Sequence, residues 1–357
     1  MIALEVSSAA GKPPFGGVGG TIRALAGELL AQDRATEYAL CYRFGRWRRG
    51  DLWRPDAPNA YLRVLVDPLN GLMLRGVRLL HSMAVYLPRT PRVTKLVTIH
   101  DLNAVRNVGW VTPSWHERRS AKIERAIERA DHVMTYSAFT ADEIREQYGV
   151  APDSVHPVLL GVDCARFTPP ANEVVKALRE KYGDYVISIG LLTARKNFTT
   201  LIEALARLPE LRLVLVGRGS DGEAEVEAAL DRTGMRARTL RMTGVPEPEL
   251  VALLGAARAC AVPSLYEGFG LTPLEAMACG TPVVCSNAAS LPEAAGDAAL
   301  LVDARSSEAL EAALRSAVFD ASLAADLRAR GLARARAMSW SASARRLRAV
   351  YRKIADV

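Results

Sequence analysis

Apolar positions along the chain fall into two series in which short continuous runs alternate with amphipathic segments. In the first series IALEV (2–6), EYALCY (37–42), LRVLV (62–66), KLVTIH (95–100) and HVMTYS (132–137) read as strands. GGTIRALAGELLAQ (19–32) and SWHERRSAKIERAIERA (114–130) carry helical spacing. TADEIREQYG (140–149) opens on a capping residue and closes on glycine, as a helix does. HPVLLGVDCARFTPPANE then combines turn residues and a Pro-Pro pair with no strong period, which predicts a linker.

The second series begins after it. DYVISIG (184–190) and LRLVLVG (211–217) are rich in Val, Ile and Leu and end on glycine. RARTLRMTG (236–244), ARACAVPS (257–264), TPVVCS (281–286) and AALLVD (298–303) follow, with helices expected at 197–208, 222–232, 247–256, 273–279 and 306–318. Continuous apolar strands separated by helices predict parallel sheets covered on both faces. The fold class is therefore α/β, with two Rossmann-like domains facing each other across a cleft. The first spans 1–165, the linker 166–183 and the second 184–338, and an amphipathic helix at 339–357 stands apart from the last strand. Ligands of such sheets bind beyond the carboxyl ends of the strands.

Composition narrows the classes. Of 357 residues, 50% are hydrophobic and 24% charged, a globular balance. No apolar run approaches the ~18 residues that cross a bilayer. The opening MIALEVSSAAGKPPFGG lacks the basic lead-in of a signal peptide, and five cysteines without C-x-x-C spacing suit a reducing compartment, so a cytoplasmic protein is expected. The net charge of +7 suits an anionic ligand such as a diphosphate, a nucleic acid or an acidic membrane face. With no zinc-finger spacing, RNP-like aromatic string or basic heptad region, nucleic acid is not expected.

Four places could hold chemistry. PPFGGVGGTIRALAGELL (13–30) follows a strand and opens a helix, so its glycines could bring phosphates to backbone N–H groups; a loop that merely needs positive φ is the other reading. Arg195 and Lys196 sit between a strand end at Gly190 and the next helix, where two cations suit a diphosphate; a solvated Arg-Lys pair is the other reading. LYEGFGLTPLEAM (265–277) places Glu267 in a loop and Glu275 in the first turn of a helix expected to start near Pro273. Glu275 is then either a dipole-favoured first-turn acid or an acceptor for the two hydroxyls of a ribose, and physical chemistry alone does not separate these. His100 ends a strand beside Asp101 at the expected cleft edge, where a structural and a functional role are equally open. The chain has no Asp-x-Asp pair to hold a metal and no Walker lysine loop.

Taken together, GGVGG, TIHDL, ADHVMTYSAFTADEI, LGVD, GLLTARKN, PSLYEGFGLTPLEAMACGTPVV and LPEAAGDAALLVD resemble the retaining glycosyltransferases of family four, and IHDL with RKN is most similar to the mannosyltransferase B-like branch. The resemblance covers nearly the whole chain. It implies the two-domain GT-B fold, with the C-terminal helix crossing back to the N-terminal domain. It also implies a GDP- or UDP-linked sugar donor, GDP-mannose in that branch, and a glycan or lipid-linked acceptor in cell-surface polysaccharide synthesis. No metal or other cofactor is implied, and peripheral contact with a membrane stays open. On this resemblance Arg195 and Lys196 would bind the diphosphate, Glu275 the ribose and Glu267 the sugar. Backbone N–H groups of Phe269, Gly270 and Leu271 would lie nearby, with Val245 at the nucleobase. Gly17, Val18 and Gly19 would close over the phosphates, with His100 beside the sugar. Chemistry would run through an oxocarbenium-like state, the leaving phosphate helping to deprotonate the acceptor. One departure is Leu191, where many relatives carry an arginine. A sugar-nucleotide epimerase of the same architecture and a non-catalytic nucleotide-sugar-binding protein are the competing classes.

Overall fold

A computed structural model describes residues 1–11, 17–90, 93–106, 108–110 and 112–355. The chain divides into two units, residues 1–160 with 340–357, and residues 161–339.

The first unit holds a seven-stranded sheet whose pairings are all parallel, in the order β3-β2-β1-β4-β5-β6-β7. Its strands are β1 Ile2–Glu5, β2 Tyr38–Arg43, β3 Ala60–Leu65, β4 Leu79–Ser82, β5 Thr94–Thr98, β6 His132–Thr135 and β7 Val155–Pro157. One face of the sheet packs Ala3, Leu80, Val97 and Val133 against Ile123 and Ala126 of helix Pro113–Arg129 and Ala141 and Ile144 of helix Ala138–Tyr148. Ser137 caps the latter helix through Thr140 N, and Gly149 ends it in the left-handed region. Each buried Ile or Leu of this kind contributes roughly 1.5–3 kcal/mol.

The C-terminal helix Trp340–Ala355 belongs to this unit and packs along helix Gly17–Gln32. Gln32 Nε2 donates to Ser341 Oγ at 2.9 Å, and Tyr351 Oη lies 2.6 Å from His81 Nδ1, whose other nitrogen meets Thr98 Oγ1 at 2.8 Å. Burial, and then the charge of His100, lowers the His81 pKa to about 3, so this histidine is a neutral core link.

The second unit holds a six-stranded sheet, again parallel, in the order β10-β9-β8-β11-β12-β13. The strands are β8 Tyr185–Ile189, β9 Arg212–Val216, β10 Thr239–Met242, β11 Ala259–Val262, β12 Val283–Ser286 and β13 Leu300–Val302. Val186, Leu213, Leu215 and Ala261 meet Phe198, Leu201 and Ile202 of the helix that follows β8. All five cysteines are free.

Several expected elements are revised. The stretch 166–183 is not an open linker, because it contains helix Asn172–Tyr182, which packs on helix Glu247–Ala256 inside the second unit. Strands β4 and β7 and helix Ala321–Ala337 have no counterpart among the expected elements. Residues 13–16 of the glycine-rich segment lie outside the described residues.

Candidate active site

In the second sheet the strand order changes direction between β8 and β11, the switch point at which such folds bind ligands. The loops leaving those two strands carry the charged residues of interest. After β8 a 3-10 turn, Ala194–Lys196, leads to Asn197, which sits at φ +54° and opens helix Phe198–Ala206. Asn197 Nδ2 donates to the carbonyls of Pro263 at 3.1 Å and Ala304 at 2.6 Å. This ties the loop after β8 to the segments following β11 and β13.

The two cations converge on one carboxylate. Lys196 Nζ donates to Glu267 Oε1 at 2.6 Å, and Arg195 Nη1 donates to Glu267 Oε2 at 2.8 Å and to the carbonyl of Tyr266 at 3.1 Å. Side-chain exposure is 11% for Lys196 and 12% for Glu267, so the pair is shielded from solvent screening. Gly190 makes the seat for Lys196: a Cβ there would stand 2.8 Å from Lys196 Cε, and its φ of +152° suits glycine. Burial would push the Glu267 carboxyl up, but Lys196 and then Arg195 outweigh it and hold it down at about 2.

Glu275 behaves in the opposite way. Burial pushes its carboxyl up to about 7; Lys196 pulls against this, Glu247 adds to it and Arg166 opposes it. No hydrogen bond or ion pair reaches its carboxylate among the described residues. Arg166 and Glu247 are paired to each other, Nε to Oε1 at 2.8 Å, and so leave Glu275 unneutralised.

The helix bearing Glu275 starts earlier than expected. It runs Leu271–Ala278 with Gly270 as N-cap, so Pro273 is the third helical residue and Glu275 the fifth. That position is beyond the first turn, where the helix dipole acts most strongly, which weakens the reading of Glu275 as a helix-entry acid. Phe269 is buried at 4% exposure, so only its backbone is available. The N–H groups of Phe269, Gly270 and Leu271 meet no acceptor among the described residues. Val245 lies in the loop after β10, two residues before Glu247, and Leu191 is 44% exposed.

Thus the second unit brings together Arg195, Lys196, Glu267 and Glu275, with the helix start at Gly270 beside Glu267. Gly17, Val18, Gly19 and His100 belong to the first unit. Gly17 to Gly19 form the first turn of a helix and not a loop, and Gly19 is there for packing, since a Cβ would stand 2.8 Å from the carbonyl of Ser8. Val18 is 38% exposed. His100 Nε2 donates to the carbonyl of Met83 at 3.2 Å, and the ring stands edge-on to Tyr136 at 4.9 Å. Burial, then the charge of Arg119, lowers its pKa to about 4 against the opposing bond to Met83, so the ring is neutral and Nδ1 is an acceptor.

Sequence reasoning missed Asn197 as the clasp of the site, although it adjoins the Arg-Lys pair and asparagine tolerates the left-handed region. It also missed that Gly190 is required by Lys196. No cluster of three or more metal-ligating side chains occurs among the described residues.

The arrangement can bind an anion through two cations and free N–H groups, and a diol through an unpartnered carboxylate. Comparisons with known proteins give the family of the chain. Residues 15–166 match the family model described as Glycosyltransferase Family 4, and residues 172–334 the model described as Glycosyl transferases group 1. The chain is 33% identical over 274 residues to O-antigen chain mannosyltransferase B of Escherichia coli, covering 73% of this chain and 70% of that protein. It is 32% identical over 285 residues to a glycogen synthase of Mycobacterium tuberculosis, covering 78% of this chain and 63% of that protein. The matched stretch therefore spans about two thirds of these relatives. Among solved structures, Anabaena HepE in complex with UDP-glucose superimposes with a TM-score of 0.73 at 17% identity, over 99% of each chain. The chain is a glycosyltransferase of GT-B architecture and belongs to glycosyltransferase family 4.

Proposed function

We propose that the chain transfers a sugar from a nucleotide-diphosphate donor, GDP-mannose as the first candidate, to a hydroxyl of a glycan or lipid-linked acceptor. Transfer proceeds with retention of anomeric configuration and without a metal, within cell-surface polysaccharide synthesis on the cytoplasmic side, with peripheral contact to the membrane. The observation that carries the reading is the convergence of Lys196 and Arg195 on Glu267 at the switch point, with the unpartnered Glu275 beside them. The mannose assignment rests on the similarity to the mannosyltransferase of Escherichia coli.

In this proposal Lys196 and Arg195 turn from Glu267 to the donor diphosphate and stabilise the charge that develops on it as the glycosidic bond breaks. The N–H groups of Phe269, Gly270 and Leu271 and the Glu267 carboxylate orient the sugar. Glu275 accepts from the ribose hydroxyls, and Val245 meets the nucleobase. Gly17, Val18 and Gly19 are assigned to the phosphates and His100 to the sugar, which its Nδ1, without a partner among the described residues, can meet as an acceptor. The leaving phosphate takes the acceptor proton on the same face, so the protein positions and stabilises without forming a covalent bond. A panel of GDP- and UDP-sugars in a thermal-shift assay tests the donor reading. One donor should raise Tm through preferential binding to the folded state, and a panel without any such donor would overturn it.

A further inference from the structure

The first unit contains a concavity that this assignment does not use. It has a volume of about 360 Å³ and is lined by Ser8, Arg43, residues 84–87 and helix Pro113–Arg129. Ser8 follows β1 and residues 84–87 follow β4, and between these strands the order of the first sheet changes direction. The cavity thus occupies the switch point of its own sheet, where a parallel α/β fold offers a ligand crevice.

Its lining is basic. The helix contributes Arg119, Lys122, Arg125 and Arg129, and Arg43 joins them from the end of β2. On a helix of 3.6 residues per turn those four cations occupy one arc of about 120°. Glu117, Glu124 and Glu128 fall within a separate arc of about 40° and leave the cavity side without carboxylates. Ordinary solvent-facing helices intersperse the two signs so that they pair at i,i+4. Here Arg119, Lys122 and Arg125 have no ion pair among the described residues. Arg43 is held over the ring of Tyr86 at 4.9 Å, and its nearest acid, Glu5, is 1% exposed at 3.5 Å. A concave site in which Arg119, Lys122 and Arg125 are left without a carboxylate partner among the described residues, between apolar walls, focuses field on an anion.

We propose that this cavity is an anion site that takes the phosphate or diphosphate group of the acceptor, which makes the acceptor class phosphate-bearing. The inference rests on the transferase reading for the word acceptor, while the anion site stands on its own geometry. A lipid-linked diphosphate and a water-soluble sugar phosphate share the required chemistry.

Calorimetric titration of inorganic pyrophosphate into the full chain tests the site. Lys122→Ala/Arg125→Ala alters two exposed helix positions and should weaken binding by at least ~tenfold, because each lost charge-assisted contact is worth about that factor. Lys196→Ala should retain the affected component, and added salt should weaken it. No pyrophosphate binding, a Lys122→Ala/Arg125→Ala isotherm matching the unsubstituted chain, or complete loss in Lys196→Ala would each overturn the proposal. Competition by geranyl diphosphate, glucose 1-phosphate and a neutral methyl glycoside then identifies the source. Stronger competition by the first supports a lipid diphosphate, stronger competition by the second supports a soluble phosphate, and equal competition by the neutral glycoside overturns the site. Nucleotide binding in separate titrations reports on the donor reading independently.

Discussion

Replacing Glu267 with glutamine should separate nucleotide binding from sugar transfer. Its carboxylate accepts from both Lys196 and Arg195. The fall of its pKa from 4.5 to about 2 corresponds to about 3 kcal/mol of net stabilisation of the ionised form, at 1.36 kcal/mol per pH unit. A diphosphate that recruits those cations works against that pairing. Glutamine keeps the shape and removes the charge, so GDP or UDP should bind more tightly, by ~100-fold if the pairing must break completely and about tenfold if it is only loosened. Transfer should fall by ~100-fold or more, because an oriented group at the reacting sugar is lost. Calorimetry with GDP and UDP measures the first effect, and kcat/KM with the preferred donor the second. Unchanged or weaker nucleotide binding, or undiminished kcat/KM, would refute the reasoning.

Three further variants test the same geometry. Lys196→Ala should lower kcat/KM by ~100-fold or more, as loss of one preorganised donor to developing charge does, and near-normal transfer would contradict it. Glu275, at about 7 when folded against 4.5 when unfolded, binds a proton between those values only in the folded state. Its contribution to stability therefore falls as pH rises from 4.5 to 7, and Glu275→Gln should stabilise the ligand-free protein at pH 8 by about 1–2 kcal/mol in a urea titration. The same variant should lose nucleotide affinity and the rise in affinity with pH through about 7 expected of the unsubstituted chain; titrations at pH 6 and 8 measure both. Gly190→Ala would place a methyl 2.8 Å from Lys196 Cε, a flexible atom that can shift, so kcat/KM should fall more steeply than Tm.

Much of this architecture is legible as alternation of apolar runs and helical periods, because fully buried parallel strands are nearly continuous in Val, Ile and Leu. The misses have physical causes. Strand β4 contains His81, a polar residue whose burial is tolerated only through Tyr351 and Thr98, and no local pattern reveals those partners. Strand β7 is three residues long and ends in proline. Helix Ala321–Ala337 is rich in alanine and arginine and has little apolar stripe, because it packs through small residues: Gly331 lies against Met277. The helix after Glu267 begins before Pro273 because Gly270, at φ +97°, turns the chain earlier. The Arg195–Lys196 pair and the two glutamates stand out in the chain, but their opposite electrostatics do not. Glu267, which both cations reach, is held ionised, whereas burial pushes Glu275 up to about 7 against the pull of Lys196 and Arg166.

The central claim is that Lys196 and its partners support sugar transfer from a nucleotide donor. Proton and phosphorus NMR of the full chain with GDP-mannose and a phosphate-bearing glycan acceptor, beside Lys196→Ala, measures it most directly. The account predicts release of GDP and a product with the donor's anomeric configuration from the unsubstituted chain, and neither from Lys196→Ala at comparable times. Equal turnover by the two chains, or a product of inverted configuration, would contradict it.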